Sequence, residues 1–414
     1  MIPRVLAGPS PAAGAEPLAG HRARLGDLPG RADRAHLIGM LDSAGLLGRG
    51  GAGFPVGRKW GSVAGRANGD AVVLANGAEG EPLSHKDRVL MASRPHLVLD
   101  GLELAVEAVG AQRAVLYVGS EHSRARAALE HALAERAAER SRTLPRVPTT
   151  IVSPPVSYVA GEESAAVHFV NTGDPRPVTV PPRPFEKGVG GRPTLVQNVE
   201  SLAHVALVAR FGDAWYREAG RAGTPGTALV TATGGARPGV LEIDFGTTIG
   251  ELARLVGVAS EGGPVLLGGY FGGIVAGTDA WRLPLDPAVL RAQGAGFGAG
   301  VVAFLGDDTC GVTTTARIMD YMAGSSAAQC GPCVFGLRAI ADSSARIATG
   351  QAHRDDLTRL RGWSQSIAGR GACRMPDGAT GLLASSLRVY EADWASHQHH
   401  RRCSLRRAAA VATA

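Results

Sequence analysis

Apolar and polar positions along this chain fall in blocks whose period switches between that of a strand and that of a helix. Ala71-Val-Val-Leu-Ala75 is a short continuous apolar run, which predicts a strand. Leu97 to Val109 carries apolar residues at helical spacing, and Ala114-Val-Leu-Tyr-Val118 is a second strand. Ser120–Ala138, rich in Ala, Arg and Glu, reads as a helix with Ser120 as its N-cap. Thr149-Thr-Ile-Val152 follows as another strand. Strand, helix, strand at this spacing predicts βαβ units and a parallel sheet. Thr194–Phe211 reads as a helix that closes this part.

A new β pattern opens at Thr227–Thr233. A Gly-Gly-Ala-Arg-Pro-Gly turn and a strand over Val240–Ile243 come next, then a helix over Thr248–Leu255 and a strand at Pro264-Val-Leu-Leu-Gly-Gly. This ββαβ order fits a small β-grasp unit. From about Asp308 the pattern is helical: Thr313–Met322, Val334–Ala348, Asp355–Ile367 and Thr380–Ala392 predict a bundle. Met1–Gly30, with Pro at 3, 11 and 17, reads as a loosely ordered lead, and His397–Ala414 as a solvated tail.

Composition narrows the class. Hydrophobic residues make up 45% and charged ones 19% of 414 residues, ordinary for a globular chain with room for two or three domains. The net charge of +6 comes from scattered Arg without basic-aromatic runs, which argues against nucleic acid as a partner. No segment approaches 18 apolar residues free of charge, so no membrane insertion is expected. The lead matches neither a signal peptide nor an anchor. Three of the five Cys lie within 330–373, a poor disulfide framework and a better metal site; a cytoplasmic location is expected.

The chemistry concentrates at Gly48-Arg-Gly-Gly-Ala-Gly-Phe-Pro-Val-Gly-Arg-Lys-Trp60. Its glycines let the backbone approach a ligand closely, and successive N–H groups in such a loop form an anion-binding concavity. The spacing fits neither Walker A nor G-x-G-x-x-G. Lys59 adds a point charge, and the chain uses Lys at only two other positions, Lys86 and Lys187. A flexible turn is the plainer reading of the glycines. Gly161-Glu-Glu163, at a loop-to-helix junction, is either a helix cap or a pair of hydrogen-bond acceptors for a ligand.

Gly48–Trp60 resembles the flavin loop of the NADH-binding 51-kDa subunit of respiratory complex I, a module shared by diaphorase subunits of NAD-linked hydrogenases and formate dehydrogenases. Four further segments match in order: Asn76–Pro82 with Lys86-Asp-Arg88, Gly161–Glu163, Pro193–Glu200, and Cys330-Gly-Pro-Cys333. The resemblance implies an α/β fold in five parts. These are the lead (1–30), an FMN/NAD-binding parallel-sheet domain (31–225), a β-grasp domain (226–300), a helical iron–sulfur domain (301–395) and a disordered tail (396–414). It also implies FMN held by Gly50, Gly51, Gly53, Phe54, Lys59, Asn76, Glu79, Gly161, Glu162, Glu163 and Asn198. A [4Fe–4S] cluster would sit on Cys330, Cys333 and Cys373, with zinc as the weaker alternative. The implied function is oxidation of NAD(P)H and single-electron delivery to a ferredoxin-like or other redox partner protein. The rivals are a non-catalytic assembly subunit and a ferredoxin-linked flavoprotein that does not use NADH.

The chain also departs from the family pattern. Ala78 replaces a carboxylate, and Gln197-Asn198 replaces a paired Asn-Asn. Gly61-Ser62, Arg183 and Gly190 stand where aromatic rings stack on the dinucleotide, while Phe54 is kept and Phe185 lies two residues from a lost position. These losses imply weaker NADH binding. The first cluster ligand is Ala327, which implies an incomplete or labile centre unless Cys310 or Cys403 contributes.

Overall fold

The computed structural model describes residues 4–29, 34–139, 147–306, 308–400 and 403. They fall in two compact units. One holds the described residues up to Thr231 together with Val240–Thr247; the other holds Ala232–Gly239 and those from Thr248 on.

In the first unit, α1 (Leu18–Leu25), α2 (Arg34–Ala44) and α3 (Val56–Ala64) precede β1 (Ala71–Gly77). Then α4 (Lys86–Ser93) and α5 (Pro95–Val109) lead to β2 (Ala111–Val118), and α6 (Ser123–Ala138) leads to β3 (Thr149–Val152). Finally α7 (Glu163–Thr172), β4 (Thr194–Asn198) and α8 (Val199–Arg217) complete the sheet, followed by the short β5 (Gly220–Arg221) and β6 (Thr224–Pro225). The four long strands are parallel, in the order β3-β2-β1-β4. Val73, Ala75, Leu116 and Leu195 face one core with residues of α5 and α8. Val72, Leu74, Val115, Tyr117 and Val196 face another with Ala166 and Val167 of α7. Burial on both faces explains why β1 reads as an unbroken apolar run.

Strand order reverses beside β1: β2 and β3 extend one way, β4 the other. A crevice opens at the carboxyl ends of parallel strands at such a switch point, where α/β sheets bind ligands. Asn76 and Asn198 are register partners there.

Three local expectations are corrected. Thr194–Asn198 is a strand, because Leu195 and Val196 are buried between the two faces and pair with β1; helix starts only at Val199. The helix after β2 begins at Ser123 behind His122, while the Ser120 N–H bonds the Pro154 carbonyl. The lead is packed: Val5 is buried, and the Glu242 carboxylate accepts from the N–H groups of Arg4, Val5 and Leu6.

A hairpin of β7 (Thr227–Thr233) and β8 (Gly239–Asp244) follows. In the second unit α9 (Ile249–Val256) starts with a capping box between Thr248 and Glu251. Strand β9 (Val265–Leu267) pairs antiparallel with β10 (Gly273–Val275) and, past α10 (Thr278–Trp281) and α11 (Pro287–Ala292), with β11 (Val301–Phe304). Helices α12 (Gly311–Gly324), α13 (Arg338–Thr349), α14 (Asp356–Ser366) and α15 (Met375–Val389) form the helical region with α16 (Glu391–His400). Helix α16 buries Trp394 and His397, so the expected tail starts as packed helix; residues 401–402 and 404–414 lie outside the described residues. No described helix is long and apolar enough to cross a membrane.

Helices α5 and α8 touch at Gly101, where an added Cβ would lie 2.0 Å from the Leu202 carbonyl oxygen. Gly101→Ala should therefore lower stability by about 1–3 kcal/mol through overpacking. The urea midpoint of the full chain checks this, and an unchanged midpoint refutes it.

Candidate functional site

The glycine loop is closed at its base. Leu47 and Pro55 form a β-bridge, and the Gly48 N–H donates to the Phe54 carbonyl at 2.9 Å. Between them Arg49 points inward and is buried. Its guanidinium donates to Leu47 O (2.7 Å), Tyr216 Oη (2.9 Å) and Thr227 O (2.7 Å), and stacks 4.5 Å from the Phe245 ring centroid. The loop backbone is thus pinned from below and free above. Gly51 and Gly53 have φ of 99° and 63°, a region that favours glycine, and nothing lies within 4 Å of a Cβ built on Gly53. A Cβ on Gly50 would press on Asn198 Cβ at 3.3 Å. Phe54 is 54% exposed beside this surface. Helix α3 then begins at Val56 without a side-chain cap.

Lys59, one turn into α3, meets a carboxylate that sequence reading did not pair with it. Its Nζ lies 2.5 Å from Glu163 Oε2, and both side chains keep solvent access. Glu162 behaves differently: one carboxylate oxygen accepts from the N–H groups of Ser164 and Ala165 and caps α7. Gly161 is joined to β1 by the Asn76 amide, which donates to its carbonyl at 2.9 Å. Asn198 donates to Asp87 Oδ2 (2.7 Å) and Asn76 O (3.4 Å), and accepts from the N–H groups of Glu200 and Ser201. All its hydrogen-bonding capacity is used within the protein. Glu79 is likewise committed, accepting from Ser84 Oγ, the N–H groups of Asp87 and Arg88, and Arg88 Nε. The eleven residues of the expected flavin site therefore divide. Gly50, Gly51, Gly53 and Phe54 sit in the loop and Lys59 pairs with Glu163, while Asn76, Glu79, Glu162 and Asn198 spend side-chain hydrogen bonds within the protein and the Gly161 carbonyl accepts one of them.

Beneath lies a charge network that sequence reading did not assemble. Lys86 is buried, with Nζ 2.7 Å from Asp87 Oδ1 and 2.8 Å from Glu200 Oε2. Burial works against its charge, but the two carboxylates together hold its pKa above the ordinary value. Glu200 is pulled down to about 2, because Lys86, His204 and Arg49 outweigh its burial. Asp87 is pushed up to about 7 by burial, with Glu79 and Glu200 adding to it against Lys86. Nearby, Gly80 allows a close approach: a Cβ there would meet the Tyr158 carbonyl oxygen at 2.6 Å. The available signals were the scarcity of Lys and the Lys86-Asp87-Arg88 match; Arg49, hidden among glycines, gave none.

In the helical region, Cys330 precedes a π-helical turn (Pro332–Leu337) that contains Cys333, and the Cys333 N–H donates to the Cys330 carbonyl at 3.1 Å. Burial works against the Cys330 thiolate, but hydrogen bonds from the Ala372 and Cys333 N–H groups outweigh it and lower its pKa; the segment before Cys373 thus lies against Cys330. The Cys333 thiol is pushed up to about 12 by burial and then by Cys330 and Cys373, while a Ser326 hydroxyl bonded to it acts the other way. Three thiols and one hydroxyl therefore converge, and Ala327 offers only a methyl group.

Comparison with known proteins fits both sites. Residues 41–207 match the family described as Nuo51 FMN-binding domain, and residues 313–397 match the NADH-ubiquinone oxidoreductase-F iron-sulfur binding region. The NADH-quinone oxidoreductase F 2 subunit of Rhizobium meliloti is 31% identical over 384 residues, covering 89% of this chain and 90% of that protein. The chain belongs to the family of NADH-quinone oxidoreductase F subunits. Members of this NADH-binding family carry FMN and a [4Fe–4S] cluster in an electron-transfer component of an oxidoreductase. The NADP-reducing hydrogenase subunit HndC of Solidesulfovibrio fructosivorans is 27% identical, covering 89% of this chain and 77% of that protein. The H2-reduced crystal structure of an NAD+-reducing [NiFe]-hydrogenase superposes with a TM-score of 0.80 at 30% identity over 88% of this chain. This chain spans 62% of that one, less than two thirds of it.

The residues present fit FMN: an open glycine cradle with positive φ, an uncapped helix start and one ammonium suit a phosphate. They fit an iron–sulfur cluster through three thiolates, one short of the usual four. A single ion would draw its ligands closer together. Among the described residues, the trio whose ligand atoms lie within 4.8 Å of one another is a different one. Two positions bear on the stacking of the dinucleotide. Phe185 leans on the main core with Arg66 4.9 Å over its ring, and Gly190 has φ 59°, which strains any ring-bearing residue placed there.

Asp87 supplies a pH signature. Its folded pKa is raised from 3.8 to about 7, so its contribution to stability is full below pH about 4 and is lost as pH rises through 7. Wild type should lose stability relative to Asp87→Asn between about pH 4.5 and pH 7.5. Denaturant titrations at both pH values measure this, and a pH-independent difference between the two proteins would overturn the assignment.

Proposed function

We propose that this chain oxidises NADH at an FMN held over the Gly50–Gly53 loop and delivers single electrons to a redox partner protein. The observation that carries this is the open glycine cradle with Lys59 and Glu163 at the switch point between β1 and β4. When bound, FMN supplies the chemistry by accepting an electron pair from the nicotinamide and releasing the electrons singly. The residues bind and orient. Lys59 and the N–H groups of the loop hold the phosphate, and Glu163 fixes the ammonium and presents an acceptor toward the cofactor. Asn76, Glu79, Glu162 and Asn198 hold the strand ends and helix starts that shape the cradle. Phe54 offers the exposed ring available for stacking on the dinucleotide, worth about 0.5–1.5 kcal/mol.

Cys330, Cys333 and Cys373 would hold the cluster, and a ferredoxin-like protein or a larger redox assembly in the cytoplasm would receive the electrons. A non-catalytic assembly role is the second reading, favoured by Arg183 and Gly190 at positions where the family stacks rings.

NADH-driven reduction of ferricyanide by the FMN-loaded chain separates the two readings. Turnover supports the catalytic reading, and its absence with FMN bound supports the assembly role. Lys59→Ala should weaken FMN binding at least about tenfold, a loss of about 1.4 kcal/mol. Unchanged affinity by isothermal titration would remove the phosphate from this loop.

The three-thiolate centre predicts lability. Aerobic purification should leave a [3Fe–4S] or apo protein, and Ala327→Cys should make the centre persist in air. A wild-type cluster of about four irons that survives air as well as the variant's would contradict this.

A further inference from the structure

The described residues hold a second cluster of soft ligands, apart from Cys330, Cys333 and Cys373. Cys310 stands at the N-cap of α12, and its sulfur accepts from the Thr313 N–H at 3.5 Å. The same sulfur lies 3.5 Å from Nε2 of His397, buried on α16. Cys403 completes the group: the two sulfurs and the imidazole nitrogen lie within 4.8 Å of one another. Neither Cys310 nor Cys403 is in a disulfide.

This spacing is that of a coordination polyhedron. With Zn–S bonds of about 2.3 Å and Zn–N bonds of about 2.0 Å, a tetrahedral ion sets S···N edges near about 3.5 Å and S···S edges near about 3.8 Å. Cys310 meets both His397 and Cys403, and a single ion at the centre of the trio would take the place of both contacts. The neighbourhood adds an independent sign. Tyr390 packs its ring against Gly311, where a Cβ would sit 2.3 Å from the ring, and its buried hydroxyl has no hydrogen-bond partner. A water held beside the trio would satisfy that hydroxyl.

We propose that Cys310, His397 and Cys403 bind one zinc ion, tying α16 and Cys403 to the start of α12. Binding releases the thiol protons and leaves the fourth position to water. The donor set, two thiolates and one imidazole, suits a borderline-soft d10 ion and is poor for Mg2+ or Ca2+, which take oxygen ligands. Such an ion would be a staple with no electron to give, distinct in role from the iron–sulfur centre.

The test is metal analysis of the full chain, produced with zinc available and dialysed anaerobically. Wild type should retain one zinc per chain, and the Cys330→Ser/Cys333→Ser/Cys373→Ser variant should retain it as well. Cys310→Ser and His397→Ala should lose it, while His397→Cys, which restores a ligand, should keep it. Cobalt in place of zinc should give thiolate charge-transfer bands and visible bands of tetrahedral intensity that vanish in Cys310→Ser. Zinc absent from wild type, zinc retained in Cys310→Ser and His397→Ala, or a Cys310–Cys403 disulfide in the anaerobic protein would each overturn the proposal.

Discussion

One buried ion cluster organises the flavin-binding unit. Lys86 sits between Asp87 and Glu200, and Arg49 lies 3.7 Å from Glu200 on the other side. The four charges come from three pieces of the cradle: Arg49 from the glycine loop, Lys86 and Asp87 from the start of α4, and Glu200 from the start of α8. Charges in so dry a place persist only when paired, and removing one partner of a buried pair costs about 3–5 kcal/mol. The network therefore ties three chain segments to one geometry, and that geometry is the floor of the site.

Above that floor, work is divided by residue type. Side chains with all their hydrogen bonds satisfied internally, such as Asn198 and Glu79, fix strand ends and helix starts. Groups left with solvent access, Lys59 and Glu163, face the cradle with the half-exposed ring of Phe54. The glycines let the loop pass over Asn198 without collision. This separates support from binding: the supporting side chains spend their hydrogen bonds within the protein, and those that can meet a cofactor keep solvent access.

Much of this was legible in the sequence, for physical reasons. The apolar run at β1 is unbroken because that strand is covered on both faces, and the glycine loop is visible because positive φ and close approach select glycine. What could not be read depends on through-space pairing. Thr194–Asn198 merges with the helix after it because Leu195 and Val196 suit either state, and only pairing with β1 decides. The lead looked loose because Pro and Gly recur in it, whereas distant partners, among them the Glu242 carboxylate and the Arg94 guanidinium, tie it down. Cys310 lies 87 positions before His397 in sequence and meets it and Cys403 only in the fold.

The central claim is that this chain carries flavin and an iron–sulfur centre together. An absorption spectrum of anaerobically purified protein, with FMN and iron quantified on the same sample, tests it most directly. The account predicts one FMN per chain and up to about four irons, with flavin and broad cluster absorbance superimposed. Protein that holds neither flavin nor iron, and takes up neither on anaerobic reconstitution, would contradict it.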